Sequence, residues 1–260
     1  MRKRNKNNST LVAALFLLIT SPAFLEHVVL YAQQAAPSKA VGTVAGKVRL
    51  EGRFSKPAPL KVNKNRHFCG NEVPNESLLV NLKGGLQNAV IMLRGGKSQG
   101  KESTLETLIL DNKNCAFAPH VQVAPTGSEL LLLNSDPILH DAHARLGPET
   151  LFNVGLPTWR RVKERLKREG IVKVECDVLH TWQSAYIVVT SSPYFAVTDE
   201  KGEFVIEGVP PGTYQMDVWH EKLGRQSRTI IVSENSTFRL DLVFPSDSKS
   251  FVPGKKEGRP

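Results

Sequence analysis

Cysteine is scarce in this chain: three in 260 residues, at positions 69, 115 and 176. The count is odd, so pairing any two leaves one thiol over. Aromatic residues make up only 7%, and they do not alternate with basic residues as in a nucleic-acid module, so no nucleic-acid partner is expected. Beyond Leu25 no run is apolar for long enough to span a bilayer. A Cys-x-x-Cys-His haem attachment, a Ser-His-Asp order and a pair of catalytic carboxylates are also missing. The expectation is therefore a protein that is not an enzyme.

What is present begins with an export signal. Arg2, Lys3, Arg4 and Lys6 form a positive segment ahead of an apolar run from Leu11 to Leu25, which Thr20, Ser21 and Pro22 interrupt. That run is short for a membrane span, and small residues follow it near Ala32 and Ala35. Residues 1–32 read as a secretory signal peptide, the alternative being an uncleaved anchor. No cysteine follows closely enough for a lipid attachment. Removal of residues 1–32 lowers the formal charge from +9 to +6, which is compatible with an acidic partner and says nothing about fold. A periplasmic or secreted location is expected, with no membrane span after cleavage. In that oxidising compartment a disulfide forms where geometry permits, and the leftover thiol needs a reason to persist.

The rest of the chain is written in short strands. Val44–Leu50 alternates small or apolar with polar residues, and comparable runs recur at Leu78–Leu82, Asn88–Leu93, Leu105–Leu110, Glu129–Leu133, Ile171–Val174 and Ala185–Val189. Four more follow at Glu203–Ile206, Thr213–Trp219, Thr229–Val232 and Thr237–Val243. Gly, Pro, Asn and Asp fill the gaps, so the prediction is an all-β sandwich or barrel. The basic stretch from Trp159 to Glu169 reads as a short helix or a charged edge strand with a solvated face. Residues 248–260 are rich in Ser, Lys, Gly and Pro and are predicted to be disordered.

Two segments carry chemistry. One runs from Phe117, Pro119 and Val123 through Gly127 to Asn134, Asp136 and His140; the other is Cys176-Asp177-Val178-Leu179-His180-Thr181-Trp182-Gln183. An upstream histidine, then a cysteine and a second histidine close together, is the donor set of a trigonal His₂Cys copper site with a weak axial ligand. Both segments resemble the cupredoxin (plastocyanin-like) family over roughly residues 105–192. That resemblance implies a Greek-key β-sandwich holding one type 1-like copper ion through His140, Cys176 and His180, with Gln183 in the axial place. Three residues separate Cys176 from His180 where plastocyanins usually have two, and glutamine stands where methionine is usual. Glutamine there is expected to lower the reduction potential. His143 is expected at the surface, facing away from His140, and His120 is read as structural. With Cys176 assigned to metal, Cys69 and Cys115 remain to pair. Their disulfide would close a loop of roughly 45 residues and contribute ~3–4 kcal/mol; two separate buried thiols are the alternative.

The last third resembles another family. Thr198-Asp199-Glu200-Lys201-Gly202-Glu203-Phe204, Val209-Pro210-Pro211-Gly212-Thr213-Tyr214 and Val218-Trp219-His220-Glu221 are similar to the carboxypeptidase regulatory-like module, a small transthyretin-like β-sandwich without catalytic residues. Gly202 suits a turn position with positive φ. Gly46-Lys47-Val48 and Ala89–Leu93 look like the first strands of the same module. The expected organisation is therefore a regulatory-like sandwich over residues 41–100 and 193–247, with a cupredoxin domain at 105–192 inserted in it or joined to it. His220 is read as structural, at the interface between the two. The function expected from all this is an exported mononuclear copper protein in electron transfer or copper handling, with a redox protein as its partner. The competing reading is a metal-free structural or surface-binding β-sandwich.

Overall fold

The computed structural model describes residues 40–96 and 105–246; the signal peptide and the C-terminal tail read from the sequence lie outside them. The chain opens with β1 (Gly42–Glu51), then a small hairpin of β2 (Leu60–Lys61) and β3 (Glu72–Val73) with the one-turn helix α1 (Arg66–Cys69) between them, then β4 (Val90–Gly95). The middle holds β5 (Thr107–Lys113), β6 (Ala116–Ala118), β7 (Val121–Pro125), β8 (Glu129–Asn134) and β9 (His140–Leu146). It continues with β10 (Glu149–Leu156), β11 (Arg161–Arg165), β12 (Gly170–Glu175) and β13 (Ser184–Thr190). The last part contributes β14 (Phe195–Val197), β15 (Glu203–Val209), β16 (Gly212–His220), β17 (Gly224–Val232) and β18 (Thr237–Pro245). The protein is all-β, as its alternating runs predict, with α1 the one helix among the described residues.

The strands form two sandwiches. In one, a five-stranded sheet ordered β10-β9-β12-β13-β7 faces a four-stranded sheet ordered β11-β8-β5-β6. Between them lie Leu110, Phe117, Leu130, Leu132, Val172, Val174, Ala185, Ile187 and Val189. In the other, β15-β1-β18 faces β14-β4-β16-β17, around Val44, Val48, Ile91, Leu93, Phe204, Tyr214, Met216, Val218 and Phe244. The second sandwich draws strands from both ends of the described chain, with β1 pairing in parallel to β18 from Thr43↔Thr237 to Glu51↔Pro245.

A third apolar layer joins the two. Side chains alternate across a strand, and in β13 this sends Ala185, Ile187 and Val189 into the first core and Val188 the other way. In β4 it sends Ile91 and Leu93 into the second core and Val90 and Met92 outward. Val90, Met92, Val121, Val188 and Trp219 meet in a cluster, flanked by Ile171, Tyr186 and Phe195. Strands buried on both faces read as continuous apolar runs, which is why Val90–Leu93 and Ile187–Val189 stood out.

One expectation is revised and another is decided between its two alternatives. Leu78–Leu82 is not a strand; it makes a single bridge, Val80↔Leu86, and is otherwise tied by the turn in which Asn81 Oδ1 accepts the backbone N–H groups of Lys83 and Gly85. The basic stretch after Trp159 resolves as β11, which pairs with β8 at a sheet edge, where charged side chains discourage further strand addition. Among the described residues no helix is long and apolar enough to cross a membrane.

Gly202 shows how turn chemistry supports this packing. Its φ is +76°, and a Cβ there would come within 2.4 Å of the Val48 carbonyl oxygen and 2.7 Å of the Leu86 nitrogen. Gly155, in β10, has nothing within 4 Å of its Cβ position. Gly202→Ala is expected to cost about 1–3 kcal/mol through strain and overpacking, whereas Gly155→Ala leaves stability nearly unchanged. Denaturant unfolding of the two variants beside the parent checks this; equal midpoints would contradict it.

Candidate metal centre

His140 opens β9, Cys176 directly follows β12, and His180 and Gln183 sit in the loop that leads into β13. β9 and β12 are hydrogen-bonded neighbours, and so are β12 and β13. The sheet therefore delivers all four residues to one end of the sandwich. All four are buried. The loop from Cys176 to His180 is shaped by Asp141, whose Oδ1 accepts the backbone N–H groups of Asp177 at 2.6 Å and Val178 at 3.2 Å. Leu179 then turns through φ 71°, a region that a leucine rarely occupies, and Gln183 N closes back on His180 O at 2.9 Å.

Three donor atoms converge. Cys176 Sγ lies 4.0 Å from His140 Nδ1 and 3.6 Å from His180 Nδ1, and the two Nδ1 atoms are 3.0 Å apart. A point in their plane lies roughly 2.1 Å from each, inside the ~2.0–2.3 Å range of metal–nitrogen and metal–thiolate bonds. Among the described residues these three form the one cluster of histidine, cysteine or acidic side chains so disposed.

The outer nitrogens explain why the inner ones are bare. His140 Nε2 lies 3.0 Å from Asp136 Oδ2, and His180 Nε2 lies 2.9 Å from Asn65 Oδ1. A carboxylate and an amide oxygen can only accept, so each ring carries its proton on Nε2 and turns a lone pair on Nδ1 toward Cys176. Two lone pairs 3.0 Å apart in a buried pocket repel unless a cation lies between them. Gln183 adds to this, with Oε1 3.1 Å from His140 Nδ1 and Nε2 buried without a partner. Turning the amide over would satisfy Nε2 and orphan the oxygen instead. The donor set fits one soft to borderline cation and leaves a fourth oxygen beside it.

Burial controls the protonation of the set. It pushes the Cys176 thiol up to about 12, helped by the charge of Asp141. It lowers His180 to about 4, and the nearness of His140 and of the Lys64 ammonium acts in the same direction. In the metal-free protein the cluster is therefore a neutral thiol with a neutral His180 imidazole, and a cation displaces the thiol proton. Asp136 is held below its usual range: burial would raise it, but bonds from His140 and from the Cys115 and Asn114 amides outweigh that.

The remaining histidines have other roles. His143 is buried rather than at the surface, with Nδ1 on Asp177 and Nε2 2.8 Å from Thr150 Oγ1; the edge strand β10 and the Cys–His loop cover that side of β9. His220 is buried, accepts the Lys222 amide at 3.2 Å, and is lowered to about 4 by burial and then by the charge of His120. His120 links the two sandwiches, with Nε2 on the Glu221 carboxylate and Nδ1 3.0 Å from the Ser184 carbonyl. Cys69 and Cys115 form a disulfide with Cα atoms 5.7 Å apart, and Cys176 is the free cysteine. Asn65 and Asp141 went unread in the sequence, because one asparagine in a polar segment and one aspartate after a histidine carry no pattern. Asp136 was read only as part of a motif, and its contact with His140 was not foreseen.

The comparisons with known proteins cover parts of the chain. The family model for polysaccharide lyase family 4, domain II, matches residues 169–240. This span takes in β12, β13 and most of the part expected at 193–247 to be a carboxypeptidase regulatory-like module, and the match is not to that module. Short strands joined by Gly/Pro turns are common to many small antiparallel sandwiches, so such a likeness leaves the module's work open. No curated protein matches the sequence. Among solved structures, the chain is similar to a novel purple cupredoxin from Nitrosopumilus maritimus, at 23% identity over 33% of this chain and 99% of that one, TM-score 0.29. It is similar to a reduced amicyanin variant at 14% identity over 40% and 100%, TM-score 0.29. A third is a Cu-containing nitrite reductase from Thermus scotoductus SA-01, at 19% identity over 38% of this chain and 25% of the enzyme, TM-score 0.30.

The His120–Glu221 pair makes a pH prediction. Both ring nitrogens face acceptors, which only the imidazolium can satisfy. Burial pushes the pKa down, but the bond to Glu221, the charges of Glu221 and Glu76 and the Ser184 bond together raise it above 6.5. A raised folded-state pKa gives a contribution that is complete below 6.5 and is lost as pH rises through the folded value. The melting temperature is expected to fall more between about pH 6 and pH 9 in the parent than in Glu221→Gln; equal falls would contradict the assignment.

Proposed function

We propose that this chain is an exported mononuclear copper protein with a cupredoxin-type site, working in electron transfer or copper handling rather than as an enzyme, with a redox protein as partner. The observation that carries the reading is the buried triangle of Cys176 Sγ, His140 Nδ1 and His180 Nδ1, whose centre lies at bonding distance from all three. Cys176 supplies the thiolate, His140 and His180 the two imidazoles, and Gln183 Oε1 the weak fourth contact. When bound, copper supplies one-electron chemistry. The protein's part is to hold four donors, from the start of β9 and from the loop between β12 and β13, in a buried pocket. Donors that keep one arrangement in both oxidation states lower the reorganisation needed for transfer, which suits relay better than bond-making. Two apolar side chains from different loops, Leu139 just before His140 and Leu179 just before His180, are exposed beside the site and offer a partner a water-excluding approach.

Stoichiometric Cu(II) added to the metal-free protein is expected to produce strong visible absorption from thiolate-to-copper charge transfer, lost in Cys176→Ser. Absence of the band, or its survival in that variant, would overturn the assignment. Gln183→Met is expected to raise the reduction potential of the copper form, since the axial contact tunes it. An unchanged potential in protein voltammetry would remove Gln183 from the ligand set.

A further inference from the structure

The hairpin of β2 and β3 belongs to neither sandwich, yet it supplies the atom that closes the site. Its apolar side, Val62 and Val73 with Leu60 and Cys69, packs on Ile138 and Trp182. Three consecutive residues then reach into the Cys–His loop. Asn63 Nδ2 donates to Thr181 Oγ1 at 3.2 Å, Lys64 Nζ donates to Val178 O at 3.1 Å, and Asn65 Oδ1 accepts from His180 Nε2 at 2.9 Å. His180 has no exposed surface, although Leu179 before it is 61% exposed and Thr181 after it is exposed as well. The strap covers the Nε2 side of His180, while His140 and Trp182 pack beside its ring.

Asn65 is held firmly for that task. It takes the left-handed conformation, φ 55° and ψ 33°, which asparagine tolerates better than most residues. Its carbonyl accepts the amides of Phe68 and Cys69, each at 2.9 Å. The strap as a whole is slight, consisting of two two-residue strands and one helical turn, and pieces that short do not hold their shape alone. The Cys69–Cys115 disulfide ties its tip to the turn between β5 and β6. Asp136 grips that same turn through the amides of Asn114 and Cys115 while also bonding His140. The supports of the two histidines are thus linked through the disulfide and the bonds of Asp136 to the Cys115 turn, one support in the β8–β9 connection and one on the strap.

We propose that the segment from Leu60 to Val73 is a disulfide-held cover that gates the His140–Cys176–His180 site, with Asn65 as the positioning residue that fixes the ring of His180. This rests on the metal reading above, and it specifies how ligands and metal reach the site: through opening of the strap, while the sandwich behind it stays folded. Removing the Asn65 oxygen frees the ring to exchange its proton between nitrogens and removes the strap's central anchor. Removing the disulfide releases the strap's tip.

The test uses the full chain, in parent, Asn65→Ala, Asn65→Asp and Cys69→Ala/Cys115→Ala forms. In the metal-free proteins, alkylation of Cys176 by iodoacetamide is followed by peptide mass. Asn65→Ala and the double variant are expected to label about 10-fold faster than the parent. Asn65→Asp keeps an acceptor oxygen and is expected to stay near the parent rate. Nitrogen NMR of the His180 ring is expected to show the Nε2–H tautomer in the parent and in Asn65→Asp, and a mixture in Asn65→Ala. In the copper-loaded proteins, release to a chelator is expected to be about 10- to 100-fold faster for Asn65→Ala, the usual cost of losing an outer support of a metal-bound histidine. Parent-like labelling and tautomer in an Asn65→Ala protein with native circular dichroism would overturn the gate. Faster labelling in a protein whose parent binds no copper would uphold the gate and overturn the metal assignment alone. Should the double variant fail to fold, Asn65→Ala still decides, because it leaves the disulfide in place.

Discussion

The Asp136 carboxylate is the joint on which the candidate site depends. It accepts the Asn114 and Cys115 amides at 2.7 and 2.8 Å and lies 3.0 Å from His140 Nε2. Those two amides belong to a turn in which both residues have positive φ, so the carboxylate holds a strained reversal together. Its third contact sets the His140 tautomer. Charge-assisted bonds to a buried carboxylate are among the stronger ones available to a protein, and here three of them converge on a single group. The disulfide extends this hold to the strap and so to the second histidine.

Around that joint, apolar layering gives rigidity. The sheet that carries the ligands is packed on one face against its own sandwich partner and on the other against the sheet of β4 and β16. A strand covered on both faces cannot tilt without opening voids, and voids in a close-packed interior are expensive. β12 and β13 therefore present their ends at fixed separations, and β9, hydrogen-bonded to β12, brings His140 beside them to complete a donor triangle with sides of 3.0 to 4.0 Å. The His120–Glu221 pair adds a polar tie across the same interface, placed where the imidazolium bonds in two directions at once.

Much of the site was legible because ligand chemistry leaves a spacing signature. An upstream histidine followed by Cys176 and His180 four residues apart is a pattern that a strand end and a short loop can bring together. The family resemblance added Gln183, and the odd cysteine count left one thiol in need of a reason. The supports were not legible in that way. Asn65 is an isolated amide more than a hundred residues from the histidine it touches, and Asp141 works through backbone amides that any residue would supply. β9 is absent from the apolar runs because His140, Asp141 and His143 are buried polar groups that break the alternation. Leu78–Leu82 erred in the opposite sense, as a largely apolar run that makes only one bridge.

The sequence by itself determined the all-β character, the positions of most turns and the identity of the sulfur and nitrogen donors. Each of these is set within a few residues, by side-chain alternation, by the φ preferences of glycine and proline, or by the chemistry of a single side chain. Tertiary structure alone decided that β1 runs parallel to β18, that a strap from residues 60–73 covers the outer nitrogen of His180, and that β10 and the Cys–His loop cover His143. Those outcomes depend on which distant surfaces can exclude water from one another. Such complementarity belongs to pairs of segments, and no local pattern in either segment encodes it.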